Sequence, residues 1–195
     1  MRRVICVFAW VCVILFFAAE AASGQIVIQY SGLPRYELGA QFNGLQLTGP
    51  VVSGSIGLGG HFAFNYNQYV SLDTDISGYN FAGDRLNTVV GLFGARVGYT
   101  SRGLGIYGKV RPGFIHFASS PELIPPVTRP ATHFAFDTGV VMTRYFENHT
   151  YLRFELGRTF VNYGGGTYRD PLSGVATHLG VPGGVSVGFG VGAQW

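Results

Sequence analysis

The sequence predicts an all-β protein, a membrane-spanning antiparallel up-and-down β-barrel of eight strands preceded by a signal peptide. Three observations support this prediction. Apolar residues alternate with small or polar residues along segments of about ten residues or more. The connections between these segments are alternately short and long. Charged residues make up only 12% of the chain, against about 25% in an ordinary soluble domain, which is too few for a fully solvated surface.

The first 24 residues are predicted to be a signal peptide, and residues 25–195 the barrel domain. Two arginines precede an apolar run over residues 4–19, which is shorter than the roughly 20 residues that a helical membrane span needs. A small-x-small motif predicts cleavage after Ala21, and a second candidate site follows Gly24. The rest of the chain has no long apolar run, which argues against a helical membrane protein.

Eight segments show the period of two that is typical of strands. They cover residues 35–47, 55–66, 69–78, 88–100, 104–117, 132–145, 150–163 and 185–195. In chain order, their apolar faces include Leu38 and Phe42, Leu58 and Phe62, Leu72 and Ile76, Phe93 and Val97, Ile106 and Val110, Phe134 and Val140, Leu152 and Leu156, and Phe189 and Val191. Segments of this length suit strands that are tilted across a bilayer.

The connections between these segments alternate in length. Short turns are expected near residues 65–68, 100–103 and 146–149, and longer connections at residues 48–54, 79–87, 118–131 and 164–184. In membrane barrels the short turns face the periplasm and the long loops face the outside. A soluble β-sandwich has no reason to keep this alternation, so the pattern favours a membrane barrel.

The polar faces of the strands are predicted to line the barrel interior. They carry five acids and four bases, namely Glu37, Asp73, Asp75, Asp137 and Glu155, with Arg96, Lys109, Arg111 and Arg153. Because an unpaired buried charge costs several kcal/mol, we expect a paired charge network in the lumen, with Asp73 and Asp75 bound to Arg96 or Lys109 rather than to a metal. A soluble barrel with its apolar face inside would have a thin, glycine-rich outer surface and is disfavoured.

The last segment has one apolar face and one face of small residues. The apolar face ends on an aromatic residue and is predicted to act as the membrane-insertion strand, with Val187, Phe189, Val191 and Trp195. Three glycines on the opposite face leave room in a narrow barrel for large side chains such as Tyr107, Lys109 or Arg111. Amphipathic rings near strand ends, among them Tyr36, Tyr69, Tyr99 and Tyr145, are expected to form interfacial girdles.

Two residues depart from the pattern. Arg158 falls on the apolar face of the seventh segment, so we expect it either to reach the lipid headgroups or to turn inward at a bulge. Pro112 lies inside the fifth segment and cannot donate to the strand ladder, so we expect a bulge or a water molecule there.

Residues 107–114 (YGKVRPGF) and 152–157 (LRFELG) carry a resemblance to a known family. Over residues 35–195 the chain resembles the eight-stranded outer-membrane β-barrels, the group of OmpA-like, OmpX-like and OmpW-like barrels. We expect a barrel without a periplasmic domain, located in the cell outer membrane. The resemblance implies contacts with outer-membrane lipid and lipopolysaccharide, and recognition of the C-terminal strand by the barrel-assembly machinery. We expect a monomer.

Three functions fit such a barrel. The first is a structural or surface-interaction role with the lumen plugged by paired charges. The second is a small pore for water, ions or small solutes. The third is a lipid A-modifying enzyme, but His61 and His116 lack the His-x-Ser spacing of those deacylases, which leaves only His116, Ser119 and Glu122 as a weak arrangement. We therefore expect no catalytic residues.

The composition limits cofactors and partners. Both cysteines, Cys6 and Cys12, lie in the signal segment, so we expect a mature chain with no disulfide bond and no thiolate metal site. The histidines lack metal-ligand spacing, and we expect no cofactor. The net charge is +3 without a basic run, so no nucleic-acid partner is expected.

Removing Trp195 is predicted to block barrel assembly, because the last strand serves both as the insertion signal and as the strand that closes the barrel. The measurement is the heat-modifiable gel migration of the chain in outer-membrane fractions. A truncated chain that still migrates as a folded barrel would show that Trp195 is dispensable.

Overall fold

A computed structural model describes residues 34–47, 53–80, 87–101, 103–118, 131–164, 167–169, 176–178, 181 and 183–195. It contains the strands β1 Tyr36–Leu47, β2 Ser53–Asn65, β3 Val70–Asn80, β4 Asn87–Ser101, β5 Leu104–Phe117, β6 Ala131–Tyr145, β7 Thr150–Asn162, β8 Thr167–Arg169, β9 Ala176–His178 and β10 Gly183–Gln194. The predicted signal peptide lies outside the described residues. No helix in the described part of the chain is long and apolar enough to span a membrane.

Eight of these strands form a closed antiparallel barrel in the order β1-β10-β7-β6-β5-β4-β3-β2. The ladder closes where β1 pairs with β10, for example at Phe42 opposite Phe189. The predicted up-and-down barrel of eight strands is confirmed. The sequence did not predict β8 and β9, which pair with each other as a separate hairpin in the connection between β7 and β10.

The end of the barrel that carries the short turns is called the short-turn end, and the opposite end is called the loop end. The first strand begins and the last strand finishes at the short-turn end. Backbone hydrogen bonds join Tyr36 and Trp195 there, with N···O distances of 2.9 and 3.1 Å. The turn between β2 and β3 is stabilised by the Asn67 side chain, whose Oδ1 accepts hydrogen bonds from the backbone N–H groups of Tyr69 and Val70, at 2.8 Å each. Trp195 follows β10 rather than forming part of it.

The side chains are distributed in the opposite way to those of a soluble protein. Large apolar residues face outward on every barrel strand, with exposed fractions that reach 57% at Phe42 and 78% at Ile56. The nine charged residues predicted for the interior are all buried. The outer surface is therefore an apolar band far larger than the patches that monomeric soluble proteins expose.

Aromatic residues mark the short-turn end of this band. Tyr69 and Tyr99 are exposed and stack with ring centroids 5.9 Å apart, and Trp195 lies 6.0 Å from Tyr36. Tyr145 is an exception to the predicted girdle, because it is buried inside the barrel. It shares the odd-numbered positions of β6 with Asp137, and this parity directs both side chains inward.

Pro112 does not create a bulge, so this part of the sequence prediction is wrong. The pairs on either side of it, Leu92 with Gly113 and Ala95 with Val110, keep a single register, and the β4–β5 ladder is only interrupted between them. The missing N–H thus removes local hydrogen bonding without inserting an extra residue. Pro112 remains in register with β6 on its other side.

The seam between β1 and β10 is built around paired glycines. Gly39 lies opposite Gly192, and a Cβ atom at either position would come within 2.7 Å of the Tyr151 hydroxyl. The space left by these glycines is filled by Tyr151, which reaches over β10 from β7. At Gly188 and Gly190, the nearest side chains are those of Asn43, Gln41, Glu155 and His61. The predicted occupants Tyr107, Lys109 and Arg111 are not the nearest side chains at these glycines.

Gly192→Val is predicted to destabilise the barrel by about 1–3 kcal/mol, because the new side chain would overpack the space that holds Tyr151. The matched control is Gly108→Val, since Gly108 faces outward and its Cβ would lie 3.8 Å from the nearest atom. Urea unfolding of both variants measures the difference. Equal unfolding midpoints in the two variants would contradict the proposed packing.

Candidate functional site: the barrel lumen

The lumen is divided into three layers along the barrel axis. A polar and aromatic layer lies at the short-turn end, a network of ion pairs fills the middle, and apolar side chains fill the loop end. All nine charged residues predicted to line the lumen lie inside the barrel, and eight of them take part in ion pairs with one another.

The middle layer, here called the central network, comprises Asp73, Lys109, Arg111, Asp137, Arg153 and Glu155. Asp73 Oδ2 lies 2.7 Å from Arg153 Nη2 and 3.0 Å from Arg111 Nη1. Arg111 Nη2 also contacts Asp137 Oδ2 at 2.8 Å and Glu155 Oε2 at 2.9 Å. The planar guanidinium of Arg111 can therefore bind carboxylates from three strands at once.

Lys109 completes the central network. Its Nζ atom lies 2.5 Å from Glu155 Oε2 and 2.8 Å from Asp137 Oδ2. Hydroxyl groups of Thr159 and Ser186 donate to the other oxygen of Asp137, at 3.2 Å each. Each member of the network thus has at least two oppositely charged partners, and at least one of them lies on another strand. Buried charges are tolerated when they are paired in this way.

A second group, the short-turn cluster, surrounds Glu37 on β1. One carboxylate oxygen of Glu37 pairs with Arg96 and accepts hydrogen bonds from Asn65 Nδ2 at 2.8 Å and Tyr145 Oη at 2.7 Å. The Arg96 guanidinium also lies over the Tyr107 ring, 4.7 Å from its centroid, in a cation–π arrangement. Tyr107 and Asn65 lie on strand faces that the sequence predicted to point inward. Tyr145 was predicted for the interfacial girdle instead, although its parity in β6 matches that of the buried Asp137.

The predicted partners of Asp73 and Asp75 differ from the observed ones. Neither aspartate pairs with Arg96 or Lys109. Asp73 faces Gly94 across the β3–β4 ladder, so it extends across the lumen to arginines on β5 and β7. Asp75 accepts hydrogen bonds from Gln41 Nε2 and from Ser77 Oγ, the latter at 2.6 Å, and has no basic partner among the described residues.

His61 is also part of the lumen. Its Nε2 atom lies 2.5 Å from Tyr151 Oη, and its Nδ1 atom is buried without a hydrogen-bond partner. His61 is the residue directly opposite Asp75 in the β2–β3 ladder. The two side chains therefore point into the same region of the barrel.

The loop end of the lumen is filled by an apolar layer, which the sequence analysis did not predict. Its buried members are Leu45, Leu47, Tyr79, Val90, Leu92, Ile115, Ala135 and Val161. Phe117 and Tyr163 pack against it, and burial raises the pKa of Tyr163 to about 12. These residues share the parity of the buried charges in their own strands, and this is the signal that could have identified them.

A small cavity lies between the central network and the apolar layer. Its volume is about 20 Å³, and its lining includes Asp75, Gln41, Lys109, Arg111 and Leu92. A space of this size holds roughly one water molecule. The cavity is thus a small gap between these two layers.

Arg158 points outward. It is exposed on the outer face of β7, and its guanidinium lies 5.5 Å from the centroid of the Phe160 ring. The register of β7 with both neighbouring strands is constant around it. Of the two predicted placements, the inward turn at a bulge is therefore wrong.

The predicted membrane-insertion residues lie on the outer face of β10 and just beyond it. Val191 and Trp195 are exposed, whereas Val187 and Phe189 pack with Phe154 from the neighbouring strand. Their alternation with the inward-facing glycines gives β10 one apolar face and one face of small residues.

Of the three candidate catalytic residues, only His116 lies in the described part of the chain. His116 Nδ1 lies 2.8 Å from Thr132 Oγ1, and Ser119 and Glu122 lie outside the described residues. No group of three His, Cys, Asp or Glu side chains in the described parts of the chain is arranged to hold a metal ion.

Comparison with solved structures identifies the fold. The N-terminal β-barrel domain of Pseudomonas aeruginosa OprF is similar over 84% of this chain and 99% of its own, with a TM-score of 0.57 and 12% identity. Neisserial surface protein A (NspA) is similar over 85% of this chain and all of its own, with a TM-score of 0.55 and 9% identity. No protein-family model matches the sequence, and no curated protein does. The chain has the fold of the eight-stranded outer-membrane β-barrels.

Proposed function

We propose that the protein is a bacterial outer-membrane β-barrel with a structural or surface-interaction role, and that paired charges plug its lumen. The observation that carries this proposal is the filled interior. Ion pairs occupy the middle of the barrel, and the apolar layer occupies the loop end.

The packing of the central network supports a closed lumen. The network draws its members from β3, β5, β6 and β7, and every member is buried. The cavity beside it, at about 20 Å³, has room for roughly one water molecule and not for a hydrated ion. Conduction would require Arg111 and Arg153 to leave their carboxylate partners, which is costly in a region of low dielectric.

The outer surface supports a location in the cell outer membrane. The apolar band with its aromatic residues at the short-turn end matches the lipid-facing surface of transmembrane barrels. We infer contacts with outer-membrane lipid and lipopolysaccharide, and recognition of β10 by the barrel-assembly machinery. The band includes all eight barrel strands, which fits a monomer surrounded by lipid.

We infer that the protein is not an enzyme. The His116 ring already has a hydrogen-bond partner in Thr132, and neither His61 nor His116 has the His-x-Ser spacing of the lipid A deacylases. A mass spectrum of lipid A from cells that express the protein tests this inference. An unchanged spectrum is expected, and a change in acylation that depends on His116 would refute it.

Arg153→Ala is predicted to destabilise the barrel by about 3–5 kcal/mol, because it leaves Asp73 and Glu155 with fewer cations in a buried site. It is also predicted to raise the conductance of the refolded protein in planar bilayers. Arg111→Ala should act in the same direction, since it removes the partner that Asp73, Asp137 and Glu155 share.

Arg158→Ala is the matched control, because it removes an arginine from the outer face of the same strand as Arg153. It is expected to leave the conductance unchanged. Wild-type protein that conducts steadily would favour the small pore instead. Unchanged urea unfolding together with unchanged conductance in Arg153→Ala and Arg111→Ala would contradict the charge plug.

A further inference from the structure

The buried charges of the described lumen do not balance. Five carboxylates face four cationic side chains, so one negative charge is left over if every acid is ionised. Eight of these residues are in ion pairs. Asp75 is the one that is not, and it is only 3% exposed. An isolated ionised carboxylate in such a site is strongly disfavoured, and neutralisation is the usual outcome.

The contacts of Asp75 suit a neutral carboxylic acid. Its oxygens meet only the uncharged groups of Gln41 and Ser77. The Oε1 atom of Gln41 is a buried acceptor without a partner. The assignment of the amide oxygen and nitrogen is interchangeable. With the amide turned, Gln41 Oε1 can therefore accept a hydrogen bond from a protonated Asp75.

The neighbouring cations are already paired with other carboxylates. Lys109 and Arg111 line the same cavity, but Lys109 is already shared between Asp137 and Glu155. Arg111 is shared among Asp137, Glu155 and Asp73. Their positive charge is thus distributed over acids that lie closer to them.

The remaining sides of Asp75 are neutral or acidic. Leu92 lies opposite it on β4, and Tyr79 follows it on the same face of β3 in the apolar layer. His61 lies opposite it on β2 and bonds to Tyr151 rather than to Asp75. On its own strand, Asp73 adds a further negative charge, which Arg111 and Arg153 hold.

We propose that Asp75 is a proton-binding site, and that the folded barrel holds one proton there which makes the packed lumen electrically neutral. The inference rests on the closed lumen of the proposed function. It goes beyond that function, because it assigns a bound ion, the proton, to one named carboxyl group. Loss of this proton would place an unpaired negative charge between the central network and the apolar layer.

Infrared spectroscopy of the refolded wild-type barrel tests the proposal directly. At about pH 5.5, where an ordinary aspartate is ionised, the spectrum should contain the carbonyl band of a protonated carboxylic acid, and the band should shift in deuterated water. It should disappear in Asp75→Asn and remain in Thr159→Val, a control elsewhere in the lumen that changes no charge. Absence of the band from the wild type, or its persistence in Asp75→Asn, would overturn the proposal.

Urea unfolding as a function of pH gives a second readout. An aspartate of the unfolded chain is ionised above about pH 4. Between that pH and the pH at which the folded protein loses the proton, the wild-type unfolding constant should therefore rise by up to tenfold per pH unit more than that of Asp75→Asn. Asp75→Asn should also fold at least as stably as the wild type, whereas Asp73→Asn should be destabilised, since it leaves Arg111 and Arg153 short of a partner. Equal destabilisation of the two variants would overturn the proposal.

His61 provides the last discrimination. If the proton resided on the imidazole, His61→Gln would abolish the pH dependence and Asp75→Asn would not, and this result would also overturn the assignment. All these measurements are independent of bilayer conductance. A conducting lumen would therefore refute the charge plug without affecting the infrared result, and a missing carbonyl band would refute the proton site without affecting the plug.

Discussion

Closure of the backbone ladder between β1 and β10 is the constraint on which the rest of the structure depends. Backbone N–H and C=O groups cannot be left unpaired in hydrocarbon, so a sheet in a membrane must close on itself. Closing only eight strands produces an interior just wide enough for side chains. The interior of this barrel must therefore be filled, and its glycines, buried tyrosines and ion pairs follow from that requirement.

The three layers of the lumen satisfy this requirement in different ways. Apolar side chains at the loop end need no partners. Charged side chains in the middle need several partners each, and Arg111 and Arg153 supply them from the centre of the barrel. At the short-turn end, tyrosine rings combine both properties, because Tyr145 fills space and donates its hydroxyl to Glu37. Asp75 lies at the boundary between the charged middle layer and the apolar layer at the loop end.

Period-two alternation predicted the eight barrel strands, and the low charge content together with the alternating connection lengths predicted the inward direction of all nine buried charges. None of these patterns could predict which charges meet. Asp73 pairs with Arg111 and Arg153 because of the stagger between strands and because Gly94, which lies opposite Asp73, has no side chain to block the contact. The period of a single strand contains neither property. The alternation did contain the inward direction of Leu45, Leu47 and Tyr145. Their inward direction was missed because the interior was expected to be uniformly polar and the tyrosines were expected at the membrane interface.

The distribution of the central network among the strands has a consequence for the order of assembly. Its six members lie on β3, β5, β6 and β7, so a partly formed sheet from β3 to β7 already contains every charge of the network. The closing strand β10 contributes no charged side chain, and its inward face consists largely of glycines. The electrostatic part of assembly can thus be completed before the two ends of the barrel chain meet. The seam that forms last then adds the backbone ladder and uncharged side-chain contacts, such as that of Tyr151 with His61.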